Sequence, residues 1–293
     1  MSRQLVLVHG RSQQHKDAAA LKMTWIETWS KGLAKSGLKV PIDESQIRFP
    51  YYGDTLAALV EGGAAPDVIV KGSEPPDEEK LFIGAVLEEA RQEKGITDEE
   101  VLARAETDVI EKGPLNWRWV RAIATALDER LPGASGVTLA AATFDVYHYL
   151  RNPGVRDIIE EGVRGAITAD AETVVVGHSL GTVVAYNLLR REGEDNGWKV
   201  PLFVTLGSPL AVTAIRQALQ PIGYPACVGA WFNAMDPQDI VSLYPLGPPQ
   251  FALEPAIENK VDVDNHTANQ HGIAGYLDDA EVARRIHDAL TAA

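Results

Sequence analysis

The sequence predicts an α/β fold, with a mainly parallel central sheet and helices on both faces. Three observations predict it. Short apolar runs, among them Gln4 to Val8 and Thr173 to Val176, alternate with longer stretches of helical apolar spacing. After their first residue both runs are apolar without a break, as strands covered on both faces require. Glycine-bearing turns close them, at His9-Gly10, Gly177 to Gly181 and Gly207-Ser208-Pro209.

The elements follow in chain order. Gln4 to Val8 is the first strand. Ala19 to Ser36 has helical spacing, with Gly37 placed to end it. Gln46 to Tyr52 reads as the second strand. Gly62-Gly63 and Ser73-Glu74-Pro75-Pro76 then mark a change to an acidic, helical texture. Helices are expected over Glu78 to Lys94, Thr97 to Lys112 and Leu115 to Arg130, the last stopped by Pro132-Gly133. Residues 62–132 thus read as a helical insertion in a single domain of residues 1–293, either a lid over the strand ends or added bulk. Ala141 to Leu150 and Gly154 to Ile167 are helical and lead to the strand Thr173 to Val176, which the helix Thr182 to Arg191 follows. Further strands are Pro201 to Leu206, Ala226 to Met235 and Lys260 to Val263, and a last helix runs from about Asp278 to Leu290.

Composition narrows the function classes. Of the 293 residues, 45% are hydrophobic and 23% charged, which suits a globular protein. A formal charge of −14 disfavours nucleic-acid backbones and anionic membranes. No run is long enough for an integral membrane segment, and no signal peptide is read at the start. Cys227 is the only cysteine, so no internal disulfide forms, and a cytoplasmic location is expected. Trp25 and Trp29, four apart, are read as core, and no metal or cofactor is expected.

The chemistry concentrates at Gly177-His178-Ser179-Leu180-Gly181. A strand turning sharply through a serine into a helix exposes the serine oxygen beside a helix N-terminus, and flanking glycines relieve the crowding. A serine hydroxyl is a poor nucleophile unless a base takes its proton and a third group holds that base. In a parallel sheet these groups lie on loops beyond later strands, in the order serine, acid, histidine. Asp236 and Asp239 both follow the strand ending at Met235. Asp239 is the better acid because Ile240-Val241 can bury it, whereas Asp236 before Pro237 suits an Asx turn and is the alternative. Of the seven histidines only His266, His271 and His287 come later. His287 falls inside the last helix and His266 in a turn, so His271 is the expected base. The oxyanion hole is assigned to the N–H groups of Leu180 and Arg11, and His9 is read as a fastener of its loop.

These residues together resemble the lipase- and esterase-like branch of the α/β-hydrolase superfamily. The resemblance rests on His9-Gly10, on the GHSLG turn with Thr182, on VTLGSPL (Val204 to Leu210) and on the stretch from His271 to Leu277. DIVSLYP, Asp239 to Pro245, is similar to the acid loop of fungal-type triacylglycerol lipases, which favours Asp239. The resemblance implies a serine esterase acting on a small-molecule or lipid ester. It matches nothing in residues 62–132. With the first strand at Gln4, it also implies a sheet without the family's leading antiparallel hairpin. Two alternatives stand beside it. An acyltransferase or thioesterase shares GHSLG, but usually with glutamate where this chain has Thr182. A non-catalytic effector module on the same scaffold is the other.

Overall fold

The structure is a computed structural model, and it describes residues 3–10, 17–54, 74–105, 111–131, 133 and 135–292. Among the described residues six strands form one sheet, all neighbours parallel: β1 (Arg3–Val8), β2 (Ile47–Arg48), β3 (Glu172–His178), β4 (Phe203–Leu206), β5 (Trp231–Ala234) and β6 (Glu258–Lys260). Their order is β2-β1-β3-β4-β5-β6. The chain steps from β1 to one side and from β3 to the other. The crevice beyond the carboxyl ends of β1 and β3 is therefore the switch point where α/β sheets bind ligands. Register pairs Val8 with Gly177 and His178 with Leu206, so the loop after β1 and the turn after β3 meet there.

Among the described residues ten α-helices cover the sheet. One face carries α1 (Ala18–Ala34) with α9 (Ile273–Leu277) and α10 (Ala280–Thr291). Leu5, Leu7, Val174 and Val176 point into this layer, where Trp25 and Trp29 are buried. Val6, Val8 and Val175 face the other layer. It contains α2 (Asp77–Glu93), α3 (Asp98–Leu102), α4 (Trp117–Arg130), α5 (Ser135–Arg151), α6 (Pro153–Ala166), α7 (Leu180–Glu192) and α8 (Thr213–Ala218). Alternate strand residues thus feed two cores, which is why the stretches Leu5 to Val8 of β1 and Val174 to Val176 of β3 are apolar without a break. No helix among the described residues is long and apolar enough to cross a membrane.

Several boundaries differ from the sequence reading, each for a local reason. The second strand is only Ile47–Arg48: Pro50 has no N–H for the ladder, and Phe49, Tyr51 and Tyr52 instead pack on the His9 ring. The helix expected from Thr97 to Lys112 stops after Leu102, in a turn that brings Arg104 to Glu129 at 2.6 Å. The strand expected from Ala226 begins at Trp231, because a turn closed by Val228 N–H to the Pro225 carbonyl precedes it. β6 is displaced to Glu258–Lys260. α5 starts earlier than expected, since Asp128 accepts hydrogen bonds from the amides of Gly136 and Val137 and caps it. Gly62-Gly63, Ser73 and Pro132 lie outside the described residues.

Within residues 62–132, α2 and α4 pack on each other and on α5, and α3 packs on α4. Glu89 of α2 accepts from the backbone N–H (3.0 Å) and hydroxyl (2.8 Å) of Thr213, at the start of α8. Lys94 donates to the Pro237 carbonyl at 3.2 Å. The end of α2 is therefore tied to the start of α8 and to the loop that follows β5.

Candidate active site

Ser179 occupies the turn between β3 and α7 with φ 53° and ψ −126°. A positive φ at a non-glycine residue costs of the order of 1–3 kcal/mol and persists only where its surroundings enforce it. Here the enforcement is visible. The Ser179 N–H donates to the Leu206 carbonyl at 3.0 Å, and its carbonyl accepts from the Thr182 hydroxyl at 2.7 Å. The Thr182 hydroxyl also meets the Ser208 hydroxyl at 2.8 Å, which ties the turn to the end of β4. A Cβ on Gly181 would stand 2.1 Å from the Val8 carbonyl oxygen, so only glycine lets α7 start this close to β1.

Ser179, Asp239 and His271 come together across the sheet. Nε2 of His271 lies 2.9 Å from Ser179 Oγ, and Nδ1 lies 2.8 Å from Asp239 Oδ2. Asp239 belongs to the loop after β5, and His271 to the loop after β6 that leads into α9. A carboxylate only accepts, so Nδ1–H donates to Asp239, which leaves the Nε2 lone pair to accept the serine hydroxyl. All three residues are buried, Ser179 to 2% exposure.

Asp239 is held as an anion. Burial pushes its carboxyl up, but the electrostatic attraction of the His271 ring and hydrogen bonds from His271, Tyr276 and the Val241 amide together bring it below the ordinary value. The Tyr276 hydroxyl donates to Oδ2 at 2.6 Å and the Val241 N–H to Oδ1 at 2.9 Å. Burial, and then the neighbouring Asp239 charge, drive the Tyr276 phenol well above its usual range, so it stays a donor. Gly207 completes this wall at φ +55°, and a Cβ there would lie 3.0 Å from Asp239 Oδ2 and 3.2 Å from His271 Cε1.

Asp236 is directed elsewhere. Its Oδ1 accepts from the Gln238 amide at 2.6 Å, an Asx turn, and its Oδ2 accepts from the Asn265 amide at 2.7 Å. Asn265 in turn binds the Thr267 hydroxyl and the Gly272 carbonyl at 2.6 and 2.9 Å. Asp236 therefore organises the loop carrying the imidazole without touching it. His266 is exposed, 3.7 Å from Asp278, and His287 contacts Asp288 at 3.1 Å within α10; neither joins the cluster.

The Leu180 N–H opens α7, where a first-turn amide has no intrahelical acceptor. Arg11, with Ser12 and His15, lies outside the described residues. Gly10 is described, and a Cβ on it would stand 2.9 Å from the Ser179 Cβ, so Gly10 lies directly against the serine. His9 is buried, with Nδ1–H donating to the Gly10 carbonyl at 2.7 Å and Nε2 accepting the Tyr52 amide at 3.1 Å. The Tyr52 ring stacks on it at 3.9 Å and its hydroxyl donates to the His9 carbonyl.

His178, Tyr276 and Gly207 carried no functional assignment from sequence. His178 donates from Nε2 to the His271 carbonyl at 2.8 Å. Their sequence signals are membership of the GHSLG, VTLGSPL and His271-to-Leu277 stretches and adjacency: His178 precedes the serine, Gly207 closes a strand, and Tyr276 lies five residues past His271. Cys227 is half-buried and remote from this cluster in role: its thiol points to the Leu189 carbonyl at 3.6 Å, and burial pushes it up to about 11. Comparison with family models, curated proteins and solved structures finds no match to the chain.

Proposed function

We propose that the chain is a serine hydrolase of the α/β-hydrolase type that cleaves carboxylic esters, of small molecules or lipids, through an acyl-enzyme. The observation that carries this reading is the unbroken chain of hydrogen bonds from Ser179 through His271 to Asp239, at 2.9 and 2.8 Å. In the proposed reaction Ser179 Oγ attacks the ester carbonyl carbon while its proton passes to Nε2 of His271. Asp239 holds the imidazole in the Nδ1–H tautomer and stabilises the imidazolium. The Leu180 N–H, with an amide of the loop after β1, receives the developing oxyanion. Collapse of the tetrahedral adduct breaks the carbon–oxygen bond to the alcohol, which leaves with the proton from His271. Water then repeats the sequence on the acyl-enzyme, releases the carboxylic acid and restores the serine.

The proposal extends to residues 62–132: Glu89 of α2 bonds Thr213, and Lys94 just past α2 bonds Pro237 in the acid loop, so both border the region this insertion would cover as a lid. With Cys227 its only cysteine and no internal disulfide to form, the chain is proposed to act in the cytoplasm. Hydrolysis of p-nitrophenyl esters by wild type and by Ser179→Ala is the test. Wild type is expected to turn over and to take a fluorophosphonate probe at Ser179, and the variant to do neither. Equal activity in both defeats the proposal.

A further inference from the structure

We propose that His178 is a positioning residue: by donating Nε2–H to the His271 carbonyl, the serine's own chain neighbour fixes the imidazole of His271 over Ser179. The proposal rests on the hydrolase reading above and adds a residue to it. The chain alternates at the end of β3. Val174, Val176 and His178 project to the face carrying α1 and α9, and Ser179 then turns over the top of the strand. The loop bearing His271 rises from that same face, and the two histidine rings lie 4.9 Å apart, tilted by 33°. Trp25 meets the His178 ring edge-on at 6.3 Å and Tyr276 lies at 6.1 Å, so the ring is walled in by the core.

A carbonyl oxygen only accepts, so the 2.8 Å contact requires the proton on Nε2 of His178. Burial, and then the neighbouring His271, drive His178 down to about 3, so it is neutral and in this one role wherever an imidazole base works. The bond grips the backbone of His271 itself, while Asp239 grips its ring. Ring torsion and backbone position are thus fixed separately. The preceding residue shows why the backbone needs a grip: Gln270 holds a positive φ of 51°, a conformation that relaxes unless its neighbours are pinned. Since β3 carries His178 and delivers Ser179 one residue later, the nucleophile and the base share one rigid support.

The test compares two substitutions of equal length that differ in the donor, His178→Gln and His178→Met. Without the donor the base drifts, and a displacement near 1 Å is enough to lower turnover about 10²-fold. His178→Met is expected to lose about that factor in kcat with KM nearly unchanged, and His178→Gln to recover most of it. Nitrogen-15 spectra of the His271 ring should show one Nδ1–H tautomer in wild type and in His178→Gln, and a tautomer mixture in His178→Met. The same spectra of wild type should find His178 itself protonated at Nε2, a reading that holds even if His178→Met does not fold. Wild-type kcat and His271 spectrum in His178→Met, equal losses in both variants, or an Nδ1–H tautomer for His178 each overturn the proposal. If wild-type protein neither cleaves esters nor takes the probe, the hydrolase reading fails, and the spectra still judge His178.

Discussion

Two aspartates three positions apart have divided the work of one loop. Asp239 faces the imidazole and Asp236 faces the Asn265 amide, so their removal has different consequences. In Asp239→Asn the amide can offer an N–H to Nδ1 and favour the wrong tautomer, and ester turnover is expected to fall about 10⁴-fold with the fold retained. Asp236→Asn leaves the imidazole its partner. Its expected cost is in stability, about 1–3 kcal/mol for an unmet buried amide, read from denaturant unfolding. A reversed ranking of the two in kcat would exchange their roles. Tyr276→Phe removes one of the donors that hold Asp239 below its ordinary value. Its kcat is expected to drop roughly tenfold, the worth of one charge-assisted hydrogen bond at about 1.5 kcal/mol, with KM little changed. Kinetics indistinguishable from wild type would make the phenol a packing group only.

Elements bring these residues together only where strand ends and loop contacts agree. Gly207 shows this best. It ends β4 in the left-handed region and leaves a space that Asp239, Tyr276 and His271 fill. Gly207→Ala adds backbone strain and a Cβ at 3.0 Å from the carboxylate, so it is expected to reduce kcat and melting temperature together. A variant with both unchanged would mean that the wall yields freely. How far such a site can be read from sequence follows from the range of the interactions. Ser179 was legible because a strand, a glycine pair and a helix lie within one short window. Asp239 and His271 were legible as loop residues past later strands, in an order that parallel connectivity imposes. His178 and Tyr276 were not, because their partners are 93 and 37 positions away and nothing local distinguishes them from core residues. The same limit shortened β2, where the strand-like run from Gln46 to Tyr52 is diverted onto His9 by a contact 43 positions distant.

At the scale of the whole molecule, the buried titratable groups set how the fold responds to acid. His178 has its folded value near 3, far below its ordinary 6.5, because burial penalises the charged ring. Between those values the unfolded chain binds a proton that the folded chain refuses, so stability falls as pH drops through the interval. Burial lowers His148 too, which acts in the same direction. Asp239, depressed below its ordinary 3.8, extends the loss to lower pH, since its anion is favoured by the fold. Glu79 opposes them: burial raises it above its ordinary 4.5, so its contribution is present in acid and lost as pH rises through its folded value. With shares of opposite sign, the difference between two variants isolates a single group. Gln does not titrate, so His178→Gln deletes one histidine's share and leaves the others. Across the interval between 6.5 and 3 the urea midpoint of wild type should lose ground to that of the variant as pH falls, so that the two curves separate there. Parallel curves would show that His178 takes a proton as readily in the folded chain as in the unfolded one, and the donor to the His271 carbonyl would then sit in water and not in the core.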